Sequence, residues 1–207
     1  MNPLLGIKFL FLFLLSVFLF AASASPAVDL AVIRPAPEVE LIEAGTGELF
    51  RLSELRGKAV LVGFVYTTCN GSCPATTHTM YRAQEALKEA GLWGDRVEFV
   101  SISLDPKTDT SEVLDRYAQI YAADRSAWHF LTGDPERVAE VIAAWDMWAR
   151  IGPSGTLDHP SRIFLLDPQG QQREIYNLEF LKPETVLRDV LEVLGDRPGP
   201  AHPSVSP

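Results

Sequence analysis

The chain has 207 residues, and 47% of them are hydrophobic, which is enough apolar material for one domain of ordinary size. Its formal net charge is −9 and it has no cluster of lysines and arginines, so nucleic acids and anionic lipid surfaces are not expected as partners. Only two cysteines are present, Cys69 and Cys73, so an extensive disulfide framework is excluded.

The N-terminal segment, residues 1–24, is predicted to be an export signal or a membrane anchor. Lys8 is its only charged residue, and positions 9–22 are apolar except for Ser16. The small residues 22–24 fit a cleavage site, whereas the apolar stretch 4–24 is close to the roughly 20 residues that span a bilayer, so both interpretations stay open. No cysteine directly follows this apolar run, so a bacterial lipoprotein anchor is not expected and is excluded on the sequence. We expect an exported protein, in the periplasm or on the outer face of the inner membrane.

Composition divides the rest of the chain into three parts. Residues 25–38 contain prolines and alanines without a regular pattern and are predicted to be a linker. Residues 196–207 are rich in proline and are predicted to be a disordered tail. The folded domain is therefore expected to cover residues 39–195, and no internal repeat is visible within it.

Apolar runs and turn residues in this domain indicate alternating strands and helices. Strands are predicted at 39–42, 50–52, 59–66, 97–103, 128–131, 162–166 and 172–176, and the last two form a hairpin. Helices are predicted from Pro74 to about Ala90, after a cap at Asp109 or Thr110, from Asp134-Pro135-Glu136, and from Lys182-Pro183-Glu184. In the second helix, Val113, Leu114, Tyr117 and Ile120 are expected to face the core. This order predicts an α/β domain with a thioredoxin-like fold, in which a central mixed sheet is flanked by helices.

The two cysteines follow the predicted strand 59–66 and directly precede Pro74, which suits the first position of a helix. The dipole and the free N–H groups of a helix N-terminus favour thiolate over thiol, so both sulfurs are expected to ionise easily. A disulfide between Cys69 and Cys73 would close too small a ring to restrict the unfolded chain greatly. Metal binding or thiol–disulfide exchange is therefore the better explanation for the pair.

Among the four histidines, His159 is the strongest candidate for a site residue. It lies just before a predicted buried strand, and Pro160 pushes its backbone towards an extended conformation. In a thioredoxin-like arrangement, the loop that enters this strand lies beside the cysteine loop. His78 is expected to face solvent, His129 to be a packed or edge histidine, and His202 to lie in the tail. Two thiolates and one imidazole form a plausible trigonal site for copper(I) or zinc.

Four segments of the predicted domain occur together in a distinctive order. They are Leu55-Arg56-Gly57-Lys58, Thr67-Thr68-Cys69 through Cys73-Pro74, Ser103-Leu104-Asp105-Pro106 with Asp109-Thr110, and Asp158-His159 ahead of Phe164-Leu165-Leu166-Asp167-Pro168-Gln169-Gly170. In this combination the sequence resembles the Sco/SenC family of copper-binding assembly proteins for cytochrome c oxidase, over about residues 50–194.

The resemblance implies a thioredoxin-like fold and copper as the bound metal, with Cys69, Cys73 and His159 as its ligands. Because export places the chain in an oxidising compartment, a redox disulfide between Cys69 and Cys73 is also expected. The resemblance matches Asp105 to an acidic position near the family's metal site, which implies a supporting role. A structural turn explains Asp105 equally well. The implied partner is the copper-site subunit of cytochrome c oxidase or another copper protein.

The loop between the cysteines departs from the family pattern. Family members commonly have proline directly after the first cysteine and an acidic residue next, whereas this chain has Asn70, Gly71 and Ser72. The loop is therefore expected to be more flexible and to lack local negative charge. This difference bears on metal affinity and redox potential more than on the set of ligands.

Two functions are expected from these residues. The first is an extracytoplasmic metallochaperone that passes copper to an acceptor by ligand exchange and releases it when Cys69 and Cys73 form a disulfide. The second is a thiol–disulfide oxidoreductase that acts on the cysteines of a copper-accepting protein, with Cys69 as the attacking thiol. The spacing argues against the second, because exchange enzymes typically show C-x-x-C. A binding module with incidental thiols stays open, whereas a peroxiredoxin is disfavoured because no proline lies between Pro37 and Cys69.

Overall fold

The computed structural model describes residues 30–152 and 156–196, which form one eight-stranded sheet, one two-stranded sheet and four α-helices. The predicted export segment and residues 197–207 of the predicted tail lie outside the described residues. In the described part of the chain, no helix combines the length and the apolar character that crossing a membrane requires.

The elements alternate along the chain as the apolar pattern predicts. The strands are β1 (Arg34–Pro35), β2 (Glu40–Glu43), β3 (Leu49–Arg51), β4 (Ala59–Val65), β5 (Val97–Ser103), β6 (Trp128–Thr132), β7 (Arg150–Ile151), β8 (Leu157–Asp158), β9 (Ile163–Leu166) and β10 (Gln171–Tyr176). The α-helices are α1 (Ser72–Glu89), α2 (Ser111–Ile120), α3 (Pro135–Ala144) and α4 (Pro183–Val193), and a 3-10 helix covers Leu52–Leu55.

The large sheet is mixed, as predicted, and has the strand order β1-β10-β9-β4-β5-β6-β2-β3. Strands β4, β5 and β6 are parallel because α1 and α2 provide the crossover connections that parallel neighbours require. The strands on either side of this trio, β9 and β2, pair antiparallel with it. Strands β7 and β8 form the separate two-stranded sheet.

The core lies on both faces of the central strands. Every residue of β4 and β5 is buried, and β4 is accordingly a continuous apolar run in the sequence rather than an alternating one. Strand β5 also buries three polar residues among its apolar ones. On one face, Leu61 packs in a cluster with Met80 of α1 and with residues of α2 and α4. On the other face, Val62 belongs to a cluster with Trp145 and residues of α3. These layers hold the ends of β4 and β5 in fixed positions.

Helix α2 differs in part from its predicted form. Thr110 is its N-cap, and its Oγ1 accepts a hydrogen bond of 3.4 Å from the Val113 amide. Leu114 and Tyr117 are buried as predicted, but Ile120 is 77% exposed, and Ala118 is buried instead. The predicted inward position of Ile120 is therefore wrong, because the buried face is centred on Leu114 and Ala118 and the last turn points away from it.

Two short β-sheet elements are absent from the sequence-based prediction. Strand β1 lies inside the predicted linker, where Arg34 pairs with Gln172 of β10. The β7–β8 hairpin pairs Arg150 with Asp158 in a region where no strand is predicted. Each of these strands has two residues, which are too few to show the alternation of apolar and polar residues that indicates a strand.

His129 of β6 lies between two carboxylates. Its Nδ1 is 2.9 Å from Glu43, and its Nε2 is 2.7 Å from Glu98. Burial of the ring lowers the pKa of His129, but the two carboxylates outweigh this effect and raise the pKa to about 9. Arg125 also pairs with Glu43, and Lys58 pairs with Glu98, so each carboxylate has a second cationic partner.

This arrangement predicts a stability change in mildly alkaline solution. The folded-state pKa of His129 is raised from 6.5 to about 9, so its stabilising contribution is complete below pH 6.5 and is lost as the pH rises through 9. We expect the wild type to lose about 2–3 kcal/mol more unfolding free energy than His129→Gln between these limits. Urea titrations of both proteins at pH 6.5, 8 and 9.5 measure the difference. If the unfolding free energies of the two proteins changed in parallel with pH, the predicted contribution of His129 would be contradicted.

Candidate metal centre

The candidate site lies at the edge of the sheet where β4 ends and β9 begins. These strands are antiparallel, with Val62 opposite Phe164, so the C-terminal end of one lies beside the N-terminal end of the other. The chain leaving β4 leads to Cys69 and Cys73, and the chain entering β9 carries His159. The topology thus brings together residues that are 86 positions apart in the sequence.

Cys73 and His159 are in direct contact. The sulfur of Cys73 lies 3.7 Å from Nε2 of His159, while Nδ1 of the same ring lies 3.0 Å from the Pro160 carbonyl oxygen. A proton on Nδ1 satisfies that carbonyl, which leaves the Nε2 lone pair directed at the sulfur side. A sulfur and a nitrogen that bind one ion at zinc-like bond lengths are roughly 3.6–3.8 Å apart. The observed separation therefore fits two donors that share a metal ion.

Cys69 approaches the same place from the loop. It is half-buried, and its sulfur accepts a hydrogen bond of 3.4 Å from the Gly71 amide. Cys69 and His159 both line a surface cavity of about 240 Å³, together with Tyr66, residues 70–72 and residues 156–158. Both cysteines are free thiols.

The two thiols differ in their ionisation. Burial works against ionisation of Cys69, but hydrogen bonds from the Tyr66 hydroxyl and from the Cys73 and Gly71 amides outweigh it and lower the pKa of Cys69. Cys73 lies in the first turn of α1, which begins at Ser72 rather than at Pro74. Burial, with the charges of Cys69 and Asp109, raises the pKa of Cys73 to about 12. The prediction that both sulfurs ionise easily is therefore wrong for Cys73, because desolvation outweighs the helix N-terminus.

The three candidate donors, the two sulfurs and the imidazole nitrogen, lie in the same region but do not surround a single metal position. Among residues 30–152 and 156–196, no group of three or more histidine, cysteine, aspartate or glutamate side chains is already arranged to hold a metal ion. Cys73 and His159 are paired, so the donor that has to move is Cys69 on its loop. A side chain built on Gly71 would have only the Cys69 sulfur within 4 Å, at 3.8 Å, so the loop has room to adjust.

The structure places the predicted supporting residue, Asp105, in a turn. Its carbonyl oxygen accepts hydrogen bonds of 3.0 Å from the Thr108 amide and 2.8 Å from the Asp109 amide. Asp105 lines a different cavity from the one that contains Cys69 and His159. The structure therefore does not bring Asp105 together with the cavity-lining donors, and its supporting role stays a prediction.

Asp109, which the sequence suggests as a helix cap and as part of one of the four characteristic segments, is the carboxylate that contacts the cysteine loop. Its buried carboxylate accepts hydrogen bonds from the Thr67 amide at 3.0 Å, the Thr67 hydroxyl at 2.6 Å and the Ser103 hydroxyl at 2.7 Å. Thr67 begins the loop that leads to Cys69. Asp109 therefore ties this loop to the end of β5, and its charge also reaches Cys73.

Tyr66 is a second residue of the site whose role the sequence does not reveal. Its ring is buried directly after the end of β4. The ring also lies edge-on to His159, with 5.6 Å between centroids, and the hydroxyl donates a 3.2 Å hydrogen bond to the Leu157 carbonyl oxygen. The only signal in the sequence is a hydroxyl-bearing aromatic residue, three positions before Cys69, at the end of a buried strand.

Comparisons with known sequences identify related proteins. The family model described as SCO1/SenC matches residues 39–195. The SCO1 protein homolog of Bacillus subtilis (strain 168) is 30% identical over 148 residues, which cover 70% of this chain and 75% of that protein.

Solved structures of Sco proteins have a fold similar to that of this chain. The structure of Bradyrhizobium japonicum ScoI with copper bound has a TM-score of 0.67 and 27% identity, covering 77% of this chain and 99% of that chain. BsSco, a member of the Sco family of cytochrome c oxidase assembly proteins in which a disulfide switch was identified, has a TM-score of 0.68 at 24% identity, covering 80% of this chain and 97% of that chain. The fold is thioredoxin-like, as predicted. With the family model matching most of its length, this chain belongs to the SCO1/SenC family.

Proposed function

We propose that this protein is an extracytoplasmic copper metallochaperone that delivers copper to, or prepares the copper site of, cytochrome c oxidase. Its family is known for cytochrome c oxidase assembly and copper binding. The observation that carries the proposal for this chain is the 3.7 Å contact between the Cys73 sulfur and Nε2 of His159, beside a cavity that Cys69 shares. Two thiolates and one imidazole are a donor set that suits copper(I).

The burial of the donors suggests an order for binding and transfer. Cys69 is half-buried at the mouth of the cavity, whereas Cys73 is 2% exposed. An acceptor would therefore replace Cys69 first, and Cys73 and His159 would hold the ion until a second acceptor ligand arrives. Thiols lose their protons when they bind a metal, so copper binding releases protons to solvent and weakens in acid. Oxidation of the two cysteines to a disulfide would remove two of the three donors.

The proposed place of action is based on the N-terminal sequence. Residues 1–24 are proposed to direct export, with the domain acting in the periplasm or on the outer face of the inner membrane, free or tethered. The proposed partner is the copper-site subunit of the oxidase or another copper protein.

Replacement of His159 tests the proposal. His159→Ala is expected to weaken copper(I) binding on the order of 100-fold, because losing a ligand should cost at least as much as losing a partner of that ligand. Competition with a copper(I) chelator measures the affinity. The matched control is His78→Ala, because His78 is exposed on α1 and does not line the cavity. Equal affinity in wild type and His159→Ala would contradict the proposed ligand set.

A second function, reduction of disulfides in a copper-accepting protein, has one observation in its favour. The lowered pKa of the more accessible Cys69 and the raised pKa of the buried Cys73 match an attacking thiol and a resolving thiol. Dithiol exchange needs no imidazole ligand. If His159→Ala lost copper binding but still supported oxidase assembly, the reductase would be favoured over the chaperone.

A further inference from the structure

The loop between the two cysteines contains a chemically reactive pair, Asn70 and Gly71, which the proposed copper function does not use. Both residues are exposed, and both line the cavity that Cys69 and His159 share. In an exposed asparagine–glycine pair, the backbone nitrogen of the glycine can attack the side-chain carbonyl carbon of the asparagine, because glycine has no side chain to shield that nitrogen. The pair therefore has the residues that spontaneous deamidation requires.

The surroundings of the pair leave room for this reaction. Within residues 30–152 and 156–196, the Asn70 side chain forms no hydrogen bond that would hold its amide in place. A Cβ built on Gly71 would meet only the Cys69 sulfur, at 3.8 Å. The Gly71 amide donates a 3.4 Å hydrogen bond to that same sulfur, and this is a weak contact that the nitrogen can leave when it turns towards Asn70.

We propose that Asn70 is a site of spontaneous deamidation that changes the loop between the two cysteines. The Gly71 nitrogen loses its proton and bonds to the side-chain carbonyl carbon of Asn70, the bond from that carbon to the amide nitrogen breaks, and ammonia leaves. Water then opens the resulting five-membered succinimide at one of its two carbonyl carbons, which gives aspartate or iso-aspartate. Water is the only co-reactant, and nothing is oxidised or reduced.

The products bear directly on the candidate metal centre. Both products carry a negative charge, and iso-aspartate also lengthens the backbone between Cys69 and Cys73 by one carbon atom, because the chain then passes through the former side chain. This changes the reach of Cys69, the donor that has to move to complete the site. We expect copper(I) affinity to fall about tenfold in the converted protein, an effect like the loss of an outer-shell partner.

Bound copper should in turn protect Asn70. An ion held by Cys69 and Cys73 fixes the loop on both sides of the pair and keeps the Gly71 nitrogen from reaching the side chain. Since misplaced reacting groups react far more slowly, we expect copper(I) to slow the conversion by a factor of about ten or more. This protection rests on the proposed function, whereas the deamidation of the metal-free protein does not.

Incubation of the full chain in neutral buffer, reduced and either metal-free or loaded with copper(I), tests the proposal. Mass spectrometry of proteolytic peptides measures the conversion at each asparagine. The internal control is Asn177, which is also exposed but precedes Leu178 and accepts a 3.0 Å hydrogen bond from the Phe180 amide through its side chain. In the metal-free protein, Asn70 is expected to convert about ten times faster than Asn177, or more.

The matched variant is Asn70→Gln, which keeps a neutral amide but would have to close a less favourable six-membered ring. Its copper(I) affinity is expected to stay constant during incubation, while that of the metal-free wild type falls. If Asn70 stayed intact for as long as Asn177, the modification site would be overturned. If Asn70 converted equally fast with and without bound copper, the modification site would stand, and the proposed binding of copper by Cys69 and Cys73 together would be contradicted.

Discussion

Replacing both Cys69 and Cys73 with serine is expected to abolish copper(I) binding at chelator concentrations that the wild type withstands. The hydroxyl of serine is a hard, neutral ligand, whereas copper(I) selects soft thiolates. The loss should exceed the roughly 10- to 100-fold that outer-shell substitutions cost, because both charged donors disappear while only His159 remains. Each single variant should fall between the wild type and the double variant. Anaerobic titration with a competing chelator measures all four proteins.

The matched control for this experiment is Met80→Leu. Met80 is the soft sulfur residue of α1 that lies seven positions after Cys73, and it is fully buried against Gly63 in the core. Leucine has a similar volume, so the substitution should cost less than about 1.5 kcal/mol of stability. Copper affinity is expected to stay at the wild-type value. Wild-type affinity in the double serine variant would show that copper binds elsewhere.

The second large effect is expected at Asp109. Asp109→Ala removes a buried acceptor and leaves the Thr67 amide, the Thr67 hydroxyl and the Ser103 hydroxyl without it. Each orphaned buried polar group costs about 1–3 kcal/mol, and hydroxyls can rotate to new partners, so we expect a loss of about 3 kcal/mol in unfolding free energy. Copper affinity should also fall, because Thr67 no longer fixes the start of the cysteine loop. Urea unfolding and chelator competition measure the two effects.

Two further variants test this prediction more closely. Asp109→Asn keeps the size and one acceptor oxygen, so it should recover part of the stability. Asp105→Ala is the matched control, since Asp105 contributes to its turn through its backbone carbonyl. It is expected to change stability by less than about 1 kcal/mol, a small effect of the kind typical away from buried networks. A larger loss of copper affinity in Asp105→Ala than in Asp109→Ala would reverse the roles that the structure indicates for these two carboxylates.

The sequence predicts the central strands of the fold well because strands that are buried on both faces are rich in apolar residues. Strands β4 and β5 are covered on both faces. Strand β4 is an unbroken apolar run, and β5 is still rich in apolar residues although it includes three polar ones, so the ends of both are predicted within about one residue. Helices α3 and α4 are equally visible, since a proline follows each N-cap. Strands β1, β7 and β8 are not visible, because each has only two residues and is created by backbone pairing, of β1 with the distant β10 and of β7 with β8, rather than by a side-chain pattern.

Some residues of the candidate site can also be predicted from the sequence, and others cannot. Cys69, Cys73 and His159 are predictable because their residue types and their proline neighbours carry the chemistry in the sequence itself. Tyr66 and Asp109 are not, because their roles come from contacts with segments far along the chain. The unequal ionisation of the two thiols is also invisible in the sequence. It depends on the depth at which each sulfur is buried, and a four-residue spacing does not encode depth.

The most direct test of the account is the X-ray absorption spectrum of the copper(I)-loaded protein, which counts the atoms bound to the metal. The account predicts two sulfur donors and one imidazole nitrogen in the wild type, and the loss of that nitrogen in His159→Ala. A wild-type spectrum with sulfur donors alone, or an imidazole signal that persists in His159→Ala, would contradict it.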